Sequence, residues 1–385
     1  MKPFALSLPT KVLFGVGCLD QLGAEAAPQA KHVLFVSGGN PTRMEKPLAS
    51  LRAAGVAVTL YNVNGEPSLD AVRGGVRALQ KAGCGAVVAV GGGSVLDAAK
   101  AIAAMATNSG DLMDYLEVIG AGNPLTKTPL PLIAVPTTAG TGSEATRNAV
   151  LTSPEHRVKV SLRHPLMVPK VVLLDPEATA SLPMEVTAAT GMDALCQLLE
   201  SYTCLVPNPF TDALCREGLL LVSRSLRHAC ANGHNLEARG DLLLAAHFSG
   251  QALANARLGA VHGLTAAIGG MTTAKHGELC GALLGKVTAA NLRALRQRGE
   301  GSPALGRYAQ AAAWMTGRDG APGEDAATYA EGLREDLGVP GLEEQGVKKA
   351  DFERIVEAAS KASSMKGNPV ELTKDELLAI LEAAY

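Results

Sequence analysis

Three stretches of the chain combine residue types and spacings that suit chemistry. The first is Val88-Ala89-Val90-Gly91-Gly92-Gly93-Ser94-Val95-Leu96-Asp97-Ala98-Ala99-Lys100. An apolar strand runs into three glycines and then into a helix predicted to begin near Ser94, which reads as its cap. Glycines let a backbone approach an anion closely, and the unpaired N–H groups at a helix start direct positive charge at it. The pattern G-x-x-x-x-G-K-[ST] is absent, so this is not a Walker loop. The second stretch is Pro136-Thr137-Thr138-Ala139-Gly140-Thr141-Gly142-Ser143-Glu144, a polar loop after another apolar strand. In a parallel sheet the carboxyl ends of the strands face one crevice, so two such loops suit a single extended ligand with a pyrophosphate. The third is dispersed. Asp193 and Gln197 are spaced i, i+4 on one predicted helix face, and His262 and His276 follow 14 residues apart, each before a glycine. Two imidazoles with one or two oxygen donors suit a divalent metal such as Fe(II) or Zn(II).

The elements that must position these residues change character midway. Residues 33–36, 56–63, 86–90 and 132–135 are short apolar runs, with helical spacing between them over 69–83 and 94–107. Continuous apolar strands alternating with helices predict a parallel sheet covered on both faces. Residues 3–9 and 11–14 read as further strands before the first α/β unit. The Gly15-Val16-Gly17 pair reads as a turn, since Gly23 falls too late for G-x-G-x-x-G. From Pro183 onward the chain becomes Ala/Leu-rich with helical period: 184–203, 209–231, 236–256, 262–270, 279–295, 304–315, 348–363 and 373–384. The predicted fold is therefore α/β plus all-α. A Rossmann-like dinucleotide-binding domain spans 1–180 and an all-helical metal-binding domain spans 181–385.

Composition narrows the function classes. The 385 residues carry 35 basic and 37 acidic side chains, a formal charge of −2, so no global field favours nucleic acid or an anionic membrane. Hydrophobic residues at 47% supply a core, and aromatics at 3% leave it to Ala, Leu and Val. No apolar run is long enough to span a bilayer, and residues 1–10 carry no signal-peptide core. Seven cysteines with no C-x-x-C pair read as reduced, mostly buried thiols in a cytoplasmic protein. Of the remaining histidines, His247 reads as a core residue and the others as surface residues.

Taken together these pieces resemble the iron-containing (group III) alcohol dehydrogenases. The likeness runs in order through VLFGVGCLDQLG, GGGSVLDAAK, PLIAVPTTAGTGSE, LLDPEATASLP, GMDALCQLLESY and the VHG and HG histidines, and it covers nearly the whole chain. It implies a dehydroquinate synthase-like fold with the active site between its two domains. It also implies reversible hydride transfer between a nicotinamide cofactor, NADP or NAD, and a small alcohol or its aldehyde or ketone, with a divalent metal as Lewis acid. By resemblance Gly92, Gly93 and Ser94 hold the pyrophosphate, with Asp97 in the same motif. Thr137, Thr138 and Thr141 line its channel, Asn148 and Lys159 lie near the ribose and nicotinamide end, and Asp193, His262 and His276 are metal ligands. The resemblance also implies a homodimer, with residues 4–8 as an edge strand pairing across subunits.

Two departures from the family pattern stand out. The usual fourth ligand, a histidine four residues after the aspartate, is Gln197, a neutral and weaker donor. A histidine often found four residues after the VHG histidine is Ala266, which leaves its proton relay to another group. By the same resemblance the segment Ser37-Gly38-Gly39-Asn40-Pro41-Thr42-Arg43 is expected to contribute Gly39 and Asn40 to the cofactor site. It has no carboxylate to repel a 2′-phosphate and has Arg43 nearby, which predicts that NADP(H) is accepted. The altered ligand set also admits a metal-independent reductase of the maleylacetate type, or a cofactor-binding protein without turnover.

Overall fold

Strands buried on both faces must be apolar throughout, and this one requirement organises the first half of the chain. The computed structural model describes residues 4–156 and 158–385. Its first compact unit is Leu6–Ser181 and its second is made chiefly of Leu182–Tyr385, against a boundary expected after residue 180. In the first unit the elements follow as β1 (Lys11–Phe14), α1 (Leu22–Ala26), β2 (His32–Ser37), α2 (Pro41–Ala53), β3 (Ala57–Asn62), α3 (Leu69–Ala82), β4 (Ala86–Gly91), α4 (Gly93–Met105) and β5 (Leu132–Pro136). They continue with β6 (Asn148–Ser153), β7 (Val158–Arg163) and β8 (Val171–Leu174). Six strands form a parallel sheet in the order β1-β8-β5-β4-β2-β3, and β6 and β7 form an antiparallel pair. Strands β4, β5 and β8 are buried at every position, whereas every position of the edge strands β1 and β3 is exposed or half-buried.

The strand order reverses between β2 and β4, because β3 lies beyond β2 on one side while β5 and β8 lie beyond β4 on the other. That switch point is where a parallel sheet opens a crevice at its carboxyl edge. Register places Ser37 beside Val90 and Gly91 beside Pro136, so the segments that follow these strands leave the sheet on the same edge.

The second unit is helical: α5 (Met184–Thr203), α6 (Pro209–Ala231), α7 (Leu236–Asn255), α8 (Ala260–Met271), α9 (His276–Arg298), α10 (Ala304–Thr316), α11 (Glu324–Asp336), α12 (Phe352–Lys361) and α13 (Lys374–Ala384). Helix α5 is buried over nearly all its length and packs against α6, α7 and α9. Glycines allow the close approach. A Cβ on Gly191 would fall 2.3 Å from Leu226 Cδ1, and one on Gly277 would fall 2.3 Å from the Ala189 carbonyl oxygen. Arg239 on α7 is 2% exposed and donates to the Gly233 and Leu182 carbonyls and the Thr187 hydroxyl, which ties α7 to the start of α5.

Several expectations change. Residues 4–9 form no strand within the chain, and Pro3 lies outside the described residues. A strand exists only by pairing, and none of the described strands pairs with this segment. Helix α4 begins at Gly93 with Gly92 as its extended N-cap, so Ser94 sits inside the first turn and is not the cap. The β6–β7 pair and β8 went unpredicted, although VKVSLR carries the two-residue alternation of a half-buried strand. Helix α11 also went unpredicted, because its buried face is Ala326, Ala327, Ala330 and Leu333, too weakly apolar to mark a period.

Candidate functional site

At the sheet edge, β4 ends in three glycines with separate duties. A Cβ on Gly91 would lie 2.6 Å from Val95 Cβ, so this glycine lets the strand and α4 pack closely. A Cβ on Gly92 would approach Thr138 Cγ2 to 3.2 Å, and one on Gly93 would approach Thr141 Cγ2 and Oγ1 to 2.9 Å. The glycine turn and the threonine loop are therefore neighbours, as a single extended ligand requires. The N-cap of α4 is Gly92, so no side chain caps the positive end of this helix. Gly39, at φ 77°, and Asn40 follow β2 on the same edge, and Asn40 accepts from the Thr42 amide to cap α2. Thr137 is buried and donates its amide to the Gly91 carbonyl.

Asp97 is put to another use. Its carboxylate accepts from the Ser143 hydroxyl and the Val150 amide and pairs with Lys100 at 2.9 Å. Buried Lys100 also donates to the Ser143 carbonyl at 2.9 Å, to Thr146 Oγ1 at 2.9 Å and to the Asn148 carbonyl. The pair thus fastens the far end of the threonine loop to α4. Asn148 and Lys159 are not brought together. Asn148 pairs with Arg163 in register and Lys159 with Thr152, about 13 Å along the strand. Lys159 is ion-paired with Glu66 at 2.5 Å. The Arg43 guanidinium donates to the Ser181 hydroxyl at 3.0 Å and to the Ser181 carbonyl at 3.3 Å.

In the helical unit the dispersed residues converge. Asp193 Oδ1 lies 3.4 Å from His262 Nε2 and 3.6 Å from His276 Nε2, and the two imidazole centroids are 5.5 Å apart. Helix α5 supplies the aspartate, α8 begins two residues before His262, and α9 begins at His276. Gly277, pressed against the α5 backbone at Ala189, allows His276 to reach Asp193. Asp193 and His262 are buried, while the His276 side chain is 46% exposed and opens the cluster to its surroundings.

Sequence reading missed two members. Glu200, one and two turns beyond Gln197 and Asp193 on α5, is buried and accepts from the Val261 amide and from His262 Nδ1, each at 2.7 Å. Holding Nδ1 in this way turns Nε2 of His262 toward Asp193 and the cluster. That Nε2 is buried and has no hydrogen-bond partner. Cys280, one turn after His276, places its Sγ 3.6 Å from Asp193 Oδ1. One donor atom from each of Asp193, His262, His276 and Cys280 lies within 4.8 Å of every other. An i, i+4 spacing from His276 was the available signal for Cys280. Gln197 donates its amide N–H to Asp193 at 3.0 Å, and its oxygen accepts from Ser249 at 2.7 Å.

The electrostatics match a cation site. Burial opposes ionisation of Asp193, yet His276 and His262 outweigh it and hold the carboxyl below its usual range. Burial alone would lower the His262 pKa, but the Cys280, Asp193 and Glu200 charges carry it well above the usual imidazole value. Burial would also raise the Cys280 thiol, and its contact with Cys196 together with the two imidazoles brings it down to about 6. Burial, with Cys280 and Glu200 alongside, pushes the Cys196 thiol up. An inward-aimed unpartnered nitrogen, a buried carboxylate and a thiol prone to ionise form a donor set that a divalent cation fits. All seven cysteines are free, and among the described residues no helix is long and apolar enough to cross a membrane.

Comparison with known proteins agrees with both halves. Residues 9–176 match the family model for iron-containing alcohol dehydrogenase, and residues 187–385 match the C-terminal model of the same family. A choline dehydrogenase of Bacillus subtilis is 34% identical over 95% of this chain and 91% of its own length. The crystal structure of a 1,3-propanediol oxidoreductase superposes with a TM-score of 0.91 at 34% identity, covering 100% of both chains. A sulfoacetaldehyde reductase of Bifidobacterium kashiwanohense, solved with NAD+, gives a TM-score of 0.88 at 26% identity, covering 100% of this chain and 99% of the other. The chain therefore belongs to the iron-containing alcohol dehydrogenase family and is an oxidoreductase of the alcohol–aldehyde type.

Proposed function

We propose that the protein catalyses NAD(P)-dependent, metal-dependent interconversion of a small alcohol with its aldehyde or ketone. The observation that carries this reading is the convergence of Asp193, His262 and His276, with the buried Nε2 of His262 lacking any partner. When bound, a divalent ion supplies Lewis acidity toward the substrate oxygen, and the nicotinamide gives or takes the hydride. Asp193 contributes the one formal charge among the four expected metal residues, Asp193, Gln197, His262 and His276. Glu200 fixes the tautomer of His262, and Gln197 orients Asp193 through its amide. The half-exposed His276 marks the side from which substrate approaches. In the first unit Gly92 and Gly93 keep the backbone clear for the pyrophosphate, Thr138 and Thr141 wall it, and the Asp97–Lys100 pair keeps that wall in place.

Support for a dinucleotide comes from the glycine turn at the sheet switch point and from the NAD+ complex of the relative described above. The proposal includes acceptance of NADP(H), because residues 37–43 carry no carboxylate and Arg43 is held beside them by Ser181. A homodimer is also proposed. Edge strand β1 exposes Val12 and Phe14, and Phe4, Leu6 and Leu8 are exposed at alternate positions before it. A light-scattering mass of one chain would overturn the dimer.

The function is tested by following NADH and NADPH oxidation against a panel of aldehydes, ketones and keto acids, with chelator or with added Fe(II) or Zn(II). Turnover that a chelator abolishes and metal restores is expected. Gln197, in place of a fourth histidine, favours a second reading, a metal-independent reductase of the maleylacetate type. Full activity in chelator would establish that reading and remove the first.

A further inference from the structure

We propose that Cys280 is the fourth protein donor of the metal centre, taking by its thiolate the place that Gln197 leaves. The proposal rests on the metal-dependent reading above and names this chain's own ligand set, Asp193, His262, His276 and Cys280.

Three observations carry it. The first is spacing. Ordinary zinc bond lengths of about 2.0 Å to oxygen or nitrogen and about 2.3 Å to sulfur put donors roughly 3.3–3.5 Å apart along the edges of a tetrahedron. The separations from Asp193 Oδ1 are 3.4 Å to His262 Nε2, 3.6 Å to His276 Nε2 and 3.6 Å to Cys280 Sγ. The carboxylate oxygen is thus at one tetrahedral edge from all three other donors. The second is the state of Gln197. Its amide nitrogen faces Asp193 and its oxygen is held by Ser249, so the side chain braces the carboxylate and presents no oxygen to the cluster. The third is the unpartnered, buried Nε2 of His262, which points to a ligand in the space that Cys280 borders.

The neighbouring thiol groups with the other ring nitrogen: Cys196 Sγ lies 3.7 Å from His262 Nδ1, which Glu200 already engages, whereas Nε2 faces Asp193, and the Cys196→Ser variant below tests that second group. His276 and Cys280 sit one turn apart on α9, so the same helix presents both toward Asp193. A thiolate is a soft donor, and exchanging a neutral carboxamide for it moves the preference of the site toward Zn(II) relative to Fe(II).

The test is cobalt substitution of the full chain. Protein stripped with a chelator is titrated with Co(II), and the near-ultraviolet thiolate-to-cobalt charge-transfer band is recorded. Wild type and Cys196→Ser are expected to show the band, and Cys280→Ser to lose it. Zn(II) affinity, measured by competition with a chromophoric chelator, is expected to fall roughly a hundredfold in Cys280→Ser, with the Zn(II)-to-Fe(II) affinity ratio falling too. Co(II) bound by wild type without the band overturns the proposal, and this readout needs no variant to fold. A band that survives Cys280→Ser, or vanishes in Cys196→Ser, overturns it as well. Protein that binds neither Co(II) nor Zn(II) overturns the metal-dependent reading and this inference together, which separates that failure from the others.

Discussion

The sheet-edge crevice and the Asp193 cluster of the helical unit are built from opposite materials. The crevice is made by removing side chains. Gly92 and Gly93 expose backbone N–H groups beside Thr138 and Thr141, and the work falls to a turn, a helix start and a pair of loops. The cluster of the helical unit is made by bringing side chains together. Asp193 and Cys280 are 87 residues apart in sequence, and Asp193 and His262 are each oriented by a neighbour, Gln197 and Glu200. A backbone site is specified locally and tolerates changes elsewhere in its unit. A side-chain site is specified by helix packing, so a distant supporting residue can cost nearly as much as a ligand.

The sharpest way to break this contrast is to remove the shared carboxylate. Asp193→Ala takes away the charge that three other donors face. Metal content after dialysis is expected to fall to background and kcat/KM by about a thousandfold or more. Dinucleotide affinity, read by nicotinamide fluorescence, should stay within about twofold, since the two sites share no residue. A large loss of dinucleotide affinity would show that they are not independent.

Glu200→Gln tests the dependence on aiming. Glu200 touches no substrate in this reading and serves only to hold His262 and the Val261 amide. Exchanging one oxygen for an NH2 sets a donor against a donor at one of those two contacts. Metal affinity is expected to drop about 10–100-fold, measured by competition, with the fold intact by circular dichroism. A chain that kept full affinity would mean that His262 needs no partner to stay in place.

The same contrast explains what the sequence made visible. The crevice was legible because its parts are contiguous: an apolar strand, three glycines and a helix, then a strand and a threonine loop. Even so, only the Lys100 partner of Asp97 lies within local reach, three residues on, and nothing local tells that its carboxylate also accepts from Ser143 and Val150, 46 and 53 residues away. In the helical unit, helical period located α5 and α9, and i, i+4 spacing linked Asp193 to Gln197. Period alone could not reveal which face of α5 meets α8 and α9. Glu200 looked like an ordinary helix carboxylate and Cys280 like one more buried thiol. Helix α11 was hidden for a different reason, since an alanine face gives little contrast between inside and outside, and the alternation in β7 spans only six residues.

On the crevice side a milder effect is expected. In Gly93→Ala the new methyl meets Thr141 Cγ2 and Oγ1 at 2.9 Å, so the threonine must turn and the channel narrows. The dissociation constant for the dinucleotide should rise about tenfold while metal content stays at the wild-type level. The double variant Gly93→Ala, Thr141→Ser removes one of the two colliding atoms and should recover part of that loss. Recovery would show that the glycine is needed for the space it leaves beside the loop, beyond any freedom it gives the backbone.

The smallest effect concerns cofactor choice, and it tests whether a side chain can tune a site made of backbone. Arg43 stands near the end of β2 with its guanidinium donating to Ser181, and it is only half-buried, so solvent weakens its field. A phosphate on the adenosine ribose would still gain from a held guanidinium, which offers several donors in a fixed plane. Arg43→Ala should therefore lower kcat/KM with NADPH about fivefold and leave the value with NADH nearly unchanged. Ser181→Ala frees the guanidinium without removing its charge, and should move the same ratio by a smaller factor in the same direction. Equal losses with both dinucleotides would assign Arg43 to holding the start of α2. A wild-type chain that strongly prefers NADH would overturn the proposed acceptance of NADP(H).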